Sequence, residues 1–249
     1  MKLSSLDKSL QVLELLSKNP QGVSLSELST HLGFPQSSIH HILSTFLPYD
    51  YVSQNPETKK YSLGFKFLTI GKVILDNIDV RKIAYRHLRF LNGECGEAVH
   101  LAILRNGKAI YIEKIEKPGG LTLATYIGFS PEAHATATGK VLLSELSIDK
   151  IMEIYKGKTL NAYTKRTITN LDKLMDELKK IRKQEYAIDL GEHTDGVRCL
   201  SAPIRLGGQI IAALSITGST YTMTMERINN ILKDLVMKTA QKISSEMRL

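Results

Sequence analysis

Ser24-Leu25-Ser26-Glu27-Leu28-Ser29-Thr30-His31-Leu32-Gly33-Phe34-Pro35-Gln36-Ser37-Ser38-Ile39-His40-His41-Ile42-Leu43-Ser44 decides the fold of the first part of the chain. Ser24 and Glu27 form a capping box, in which the Ser hydroxyl takes the amide of residue 27 and the Glu reaches back. Leu25, Leu28 and Leu32 then give one apolar face. Gly33 suits a left-handed helix end, and Pro35 suits the start of the next helix. That helix runs from Gln36 to Leu47, with Ile39, Ile42 or Leu43, and Phe46 turned inward. Upstream, Leu6, Leu10, Leu13 and Leu16 recur at helical spacing, widened by Val12 and Leu15, until Asn19-Pro20-Gln21-Gly22 breaks the chain. Downstream, Tyr51-Val52-Ser53 and Lys60-Tyr61-Ser62-Leu63 flank a turn-rich Gln54–Thr58 and predict a β-hairpin.

Helix, tight turn, helix and hairpin is the plan of a winged helix-turn-helix. A helix that enters a major groove needs a small polar outer face. Here that face offers Gln36, Ser37, Ser38, His40, His41 and Ser44, with Thr45 beside them. Gln pairs with adenine, and Ser serves bases or phosphates. At the hairpin tip, Lys59 and Lys60 are placed to neutralise phosphates, next to Gln54 and Asn55. The same pattern also fits a structural three-helix module with a solvated face. Charge does not separate the two readings, because residues 1–77 carry seven lysines and no arginine against six acids.

The whole chain has 249 residues, 43% hydrophobic and 23% charged, which fits one or two globular domains and excludes wholesale disorder. Its net charge of +8 resides mostly beyond residue 77. Apolar runs are too short for a membrane span, and Met1–Lys8 lacks the apolar core of a signal peptide. Two cysteines, Cys95 and Cys199, make no disulfide framework, so a reducing cytoplasm is expected.

Residues 64–78 predict a linker helix with an apolar stripe of Phe67, Ile70 and Ile74, joined less regularly by Phe65 and Val73. Such a stripe needs a partner surface, either a second copy of the chain or its own domain. Residues 79–249 read as an α+β domain, an antiparallel sheet covered by helices. Helices are expected near Val80–Gly93, Ala137–Ser147, Ile148–Tyr155, Asn170–Gln184 and Met225–Met247. Strands are expected at Ala98–Leu104, Ala109–Ile115, Tyr186–Asp189, Cys199–Ile204 and Ile210–Thr217, with a further one at Thr122–Tyr126. Asn106-Gly107 joins the first two. The small residues Ala135–Gly139 fit either a carboxylate at a helix N-terminus or close helix–sheet packing.

Enzyme readings fail on the motifs. Gly139-Lys140 lacks the earlier glycine of a P-loop, and no G-x-S-x-G occurs. Two S-x-x-K matches, at Ser5 and Ser147, stand without their companion elements. His134, His193, Cys95, Cys199, Glu192 and Asp195 follow no zinc spacing, so no metal and no cofactor is expected.

The chain resembles the IclR family of transcriptional regulators over nearly its whole length. The resemblance rests on Leu25–Leu28, Leu32–His40 and Tyr61–Gly64, then on Ala98–Leu101, His134–Lys140 and Tyr163-Thr164. It continues through Tyr186–Asp189, Gly196–Cys199 and Ser215–Gly218. His41 and Lys8 stand where the family often has Arg. The resemblance implies a GAF-like second domain that senses a small organic molecule, often a carboxylate or aromatic acid. It implies ligand contacts at Leu123, Ala137, Thr138, Asp189, Val197, Cys199, Ser215 and Thr217. Ala137 and Thr138 would offer amides to an anion, and Ser215 and Thr217 share one strand face. Asp189 would accept from the ligand or cap its own strand end. The expected partners are double-stranded palindromic operator DNA, the effector, and further copies of the chain as a homodimer or dimer of dimers, with no membrane. Two other classes compete: a small-molecule sensor or enzyme whose N-terminal module docks protein, and a DNA-coating protein with a degenerate pocket.

Overall fold

A computed structural model describes residues 4–116 and 124–247 and divides the chain into two compact units, one through Asn77 and the other from Ile78 onward. In the first unit, α1 (Ser5–Ser17), α2 (Leu25–Leu32) and α3 (Gln36–Phe46) precede the hairpin β1 (Val52–Gln54) and β2 (Tyr61–Leu63). The Ser24–Glu27 capping box forms, and Gly33 ends α2 at φ 68°. Val12, Leu16, Leu28, Ile39, Ile42, Leu43 and Val52 close a small core. Leu6 and Leu10 depart from the expected inward stripe: they are 69% and 52% exposed. The leucine spacing is wider than so small a core can cover, so only Val12 and Leu16 of α1 are fully inside. The linker helix α4 (Lys66–Asp76) buries no residue, and Phe65, Leu68, Val73 and Ile74 stand exposed on it.

In the second unit, α5 (Asp79–Cys95) leads into five antiparallel strands. They are β3 (Ala98–Arg105), β4 (Lys108–Ile115), β5 (Ala187–Asp189), β6 (Val197–Leu206) and β7 (Gln209–Ser219), in the order β4-β3-β7-β6-β5. Asn106 and Gly107 both take positive φ, as a type I′ turn demands. One face packs Val99, Leu101, Leu200, Leu214 and Ile216 against α5 and the closing helix. The other packs Ala102, Tyr111 and Ala213 against α6 (Ala137–Ser144), α7 (Ile148–Tyr155) and α8 (Leu171–Gln184).

Three expectations are corrected here. Thr122 and Leu123 lie outside the described residues, and Ala124–Tyr126 is not a strand. The segment that lines β4 instead is 129–132, where Phe129 and Pro131 carbonyls take the Tyr111 and Ala109 amides. Pro131 has no amide to return, so no regular strand develops. The helix beginning at Ala137 stops at Ser144, because Ser147 caps α7 by accepting the Lys150 amide. The closing helix is interrupted: α9 (Met225–Arg227) passes through a π turn, Ile228–Leu232, into α10 (Lys233–Glu246).

Helix α6 is buried at all eight positions. A Cβ on Gly139 would lie 2.2 Å from the Ala133 carbonyl oxygen, so this glycine serves close packing. Lys140, 1% exposed, bonds the Glu192 carboxylate and, at 3.2 Å, the Ile188 carbonyl. Burial pushes the Glu192 carboxyl up to about 7 despite the ammonium beside it. A carboxyl raised in the folded state adds stability below its unfolded value near 4.5 and loses it as pH rises through about 7.

Gly139→Ala should cost roughly 3 kcal/mol by overpacking. Gly96→Ala, at φ +62° with open space around it, should cost only about 1 kcal/mol. Urea unfolding of the second unit ranks the two, and equal losses would contradict the packing. Lys140→Met should cost about 3–5 kcal/mol at pH 8, less at pH 6, and Lys140→Met/Glu192→Leu should recover most of it. Unfolding free energies at both pH values test this; a pH-independent loss would count against a charged Glu192.

Candidate functional site

The outer face of α3 is built by the capped turn before it. The Ser29 hydroxyl donates to the Phe34 carbonyl at 2.6 Å, and the Lys8 ammonium sits 5.3 Å over the Phe34 ring. This fixes the entry of α3 and leaves Gln36, Ser37, His40, His41, Ser44 and Thr45 exposed together. Ser38 is half-buried at the flank of that face. Ser44 and Thr45 donate to the carbonyls of His40 and His41 at 2.7 and 2.9 Å, so their oxygens face outward mainly as acceptors. On the hairpin, Asn55 Oδ1 accepts the amides of Glu57 and Thr58, and Lys59 adopts φ 57°. Lys59 is exposed and Lys60 half-buried. The result is a convex face of hydroxyls, imidazoles and one amide with lysines on the adjoining wing.

The second cluster lies on the α6 side of the sheet. Pairing sets His100 opposite Ser215, Ser215 opposite Ser201, and Thr217 opposite Ala98 and Cys199. The Thr138 hydroxyl, from the first turn of α6, donates to Ser215 Oγ at 3.2 Å. Thr217 donates to Cys199 Sγ at 3.3 Å and lies 3.4 Å from His100 Nδ1. His100 Nε2 meets the Thr125 hydroxyl at 2.9 Å, and the His100 and Tyr111 rings are 4.9 Å apart. Of the residues implied by resemblance, Thr138, Cys199, Ser215 and Thr217 thus share one cluster. Leu123 lies outside the described residues. Val197 is half-buried at the start of β6, opposite Ser219.

Asp189 takes the amides of Gly191 and Glu192 at 2.9 and 2.5 Å, capping the end of β5. Burial raises its carboxyl above the usual range. Ala137, the first residue of α6, is buried, and Thr136 Oγ1 takes the Gly139 amide. Burial, helped by the Lys114 ammonium, pushes His100 down to about 3, so its ring is neutral and offers one donor and one acceptor. Burial also pushes the Cys199 thiol up, with Asp189 adding to it, which makes the sulfur unreactive. The cluster therefore offers neutral hydroxyl and imidazole groups for hydrogen bonding. His100, Tyr111 and Thr125 are absent from the residues singled out by sequence. His100 enters through a register that sets it opposite Ser215, more than 100 residues away, and Tyr111 and Thr125 through their contacts with His100, for which single-strand periodicity carries no signal.

The 163–167 loop is tied to the turn after β5. Thr164 and Thr167 hydroxyls donate to the carbonyls of Gly191 and Glu192, at 2.7 and 2.6 Å. His193 stacks on Tyr163 with ring centroids 4.8 Å apart. Among the described residues, no group of three His, Cys, Asp or Glu is placed to hold a metal ion, and no helix is long and apolar enough to cross a membrane.

Residues 72–245 match the bacterial transcriptional regulator IclR C-terminal domain, and residues 5–56 match the IclR helix-turn-helix domain. The HTH-type transcriptional regulator XynR of Escherichia coli is 33% identical over 94% of this chain and 93% of its own. The transcriptional repressor IclR of E. coli is 30% identical over 97% and 89%. The crystal structure of the Thermotoga maritima IclR superposes with a TM-score of 0.78 at 30% identity, covering 98% and 99% of the two chains. An IclR homologue of Microbacterium hydrocarbonoxydans complexed with 4-hydroxybenzoate shares the fold at TM-score 0.82 and 19% identity, over 98% and 99%. These relatives are DNA-binding regulators and not enzymes, and with both of its units matched, this chain belongs to the IclR family of transcriptional regulators.

Proposed function

We propose that the chain is a ligand-responsive regulator, a repressor in its default state, that grips palindromic operator DNA through α3 and releases it according to a small organic acid. The carrying observation is the exposed Gln36, Ser37, His40, His41 and Ser44 face on a helix whose other side is locked into the core. Lys59 and Lys60 serve phosphates, and Ser38 flanks the groove contact. The exposed apolar residues Leu6 and Leu10 of α1 and Leu68, Val73 and Ile74 of α4 support pairing of two chains as a homodimer, with a dimer of dimers built on it. Two-fold pairing presents two recognition helices to successive major grooves, which is the reason for a palindrome.

The effector site is the cluster of Thr138, Cys199, Ser215 and Thr217, with His100 and Tyr111 added. The first amides of α6, at Ala137 and Thr138, would meet the anionic group of the effector, and Asp189 holds the turn at Gly191 and Glu192. The 4-hydroxybenzoate held by the structural relative supports a carboxylate, such as an aromatic acid, as the ligand class. Effector and DNA then act on each other through two arrangements of the paired heads, and linkage makes the effect reciprocal.

Ser37→Glu should weaken operator binding about 100-fold, roughly 2.7 kcal/mol, by placing a carboxylate against phosphates. An acid near a helix N-terminus is favourable for folding, so the unfolding midpoint should hold. Fluorescence anisotropy with operator duplex decides; undiminished affinity would remove α3 from the groove. Ser215→Leu should keep operator affinity within about twofold while abolishing its response to a panel of small organic acids that includes 4-hydroxybenzoate. A normal response in that variant would place the effector elsewhere.

A further inference from the structure

A cleft of about 370 Å³ opens at the far end of the β3–β4 hairpin, away from the residues of the effector cluster, between the Asn106-Gly107 turn, the end of α7 and the segment around residue 159. Its volume is at the low end for small-molecule sites. The floor is firm: a Cβ on Gly107 would strike Ile154 at 2.5 Å, and the Gly107 carbonyl takes the Ala133 amide. Glu132 lines one wall and bridges to Lys108 through the backbone. Its carboxylate is held at 2.8 Å by the Asn161 side-chain amide.

Behind Glu132 stands His134, fully buried. Its Nε2 faces the Asn161 carbonyl at 3.1 Å and so must donate to it. In the neutral ring Nδ1 is then an acceptor. That nitrogen lies 3.4 Å from Glu132 Oε2, a second acceptor, and makes no hydrogen bond. Two acceptors facing one another in a buried setting repel unless a proton or a cationic donor comes between them. Tyr155 Oη, on the same cleft, is likewise buried, with only the His134 backbone amide near it and no hydrogen bond of full geometry. The Tyr155 and Tyr163 rings flank His134 at 6.2 and 6.3 Å. A fixed carboxylate beside aromatic rings is the usual complement of an ammonium. The cleft also carries Lys108 and Lys158, neither in an ion pair among the described residues. Lining the same cleft as Glu132, they supply the complement of a carboxylate.

We infer that this cleft is a second ligand site, for a small α-amino acid whose ammonium meets Glu132 and Tyr155 and whose carboxylate meets Lys108 and Lys158. Both charges are required, because Glu132 alone would select amines and the lysines alone would select acids. The stretch Glu132–Thr138 runs from this cleft directly into the first turn of α6, so occupancy bears on the helix that carries Thr138.

Isothermal titration of the full chain with glycine, L-alanine and L-serine should give saturable binding of at least one at millimolar concentration or below. Propionate and n-propylamine, each with half of the charge pattern, should bind at least about tenfold more weakly. Glu132→Gln should weaken the amino acid about tenfold or more; should it fold poorly, Lys158→Gln at the surface should weaken it several-fold. Amide and side-chain NMR shifts on titration should centre on Glu132, Tyr155 and Lys158. The inference is overturned by no binding up to about 10 mM, by half-ligands binding equally well, or by both variants retaining wild-type affinity. Shifts centred on Ser215 and Thr217 would overturn it too. So would ¹⁵N spectra of the unliganded protein showing His134 protonated on both nitrogens at neutral pH, since Glu132 would then already have its cation.

Discussion

The antiparallel ladder that fixes β7 between β3 and β6 is the constraint on which the second unit depends. It sets Ser215 opposite both His100 and Ser201, and Thr217 opposite Ala98 and Cys199. A slip of one residue would exchange the two faces of β7. Leu214 and Ile216 would then meet α6, and the hydroxyls would be buried against α5 and α10 without partners. The apolar alternation of the strand therefore enforces the position of the polar groups. The placement of the hydroxyl cluster inherits its accuracy from hydrophobic sorting.

Local chemistry was legible in the chain wherever the signal spans a few residues. The Ser24–Glu27 box, the Gly33 terminus, the Asn170 cap and the Asn106-Gly107 turn all form as their residue types require. What was not legible depended on supply of a partner surface. Leu6 and Leu10 carry the same periodicity as Val12 and Leu16, yet only the latter pair meets a core. The pairing of 129–132 with β4 has no strand signature, since Pro131 interrupts the alternation. The π turn at Ile228–Leu232 is an insertion into a helical pattern and leaves the apolar stripe readable on both sides of it.

The site shows the same division. Ser215 and Thr217 could be placed on one face from their spacing, and Asp189 could be read as an end cap from its position after a strand. The two readings of Ala135–Gly139 part company at residue level: Gly139 is demanded by the Ala133 backbone, while Thr138 turns its hydroxyl to Ser215. Lys140 was set aside because its neighbours make no phosphate loop, yet it is one of the most deeply buried side chains of the protein, joining α6 to the 188–192 turn. Nothing in a linear sequence distinguishes a buried lysine from a surface one when its carboxylate partner is 52 residues away.

The near-neutral head has an implication for how such a protein would find its target. With lysines and acids almost balanced through residue 77 and no arginine on α3, attraction to anonymous stretches of chromosome is weak. Few molecules are then stranded on the vast excess of irrelevant sites. On the proposed reading, discrimination would pass instead to a handful of uncharged contacts, each feeble alone. It would become decisive only in the proposed dimer, where two heads engage at once and the second lands at high local concentration. Genome searching by this route is governed by pairing geometry more than by charge.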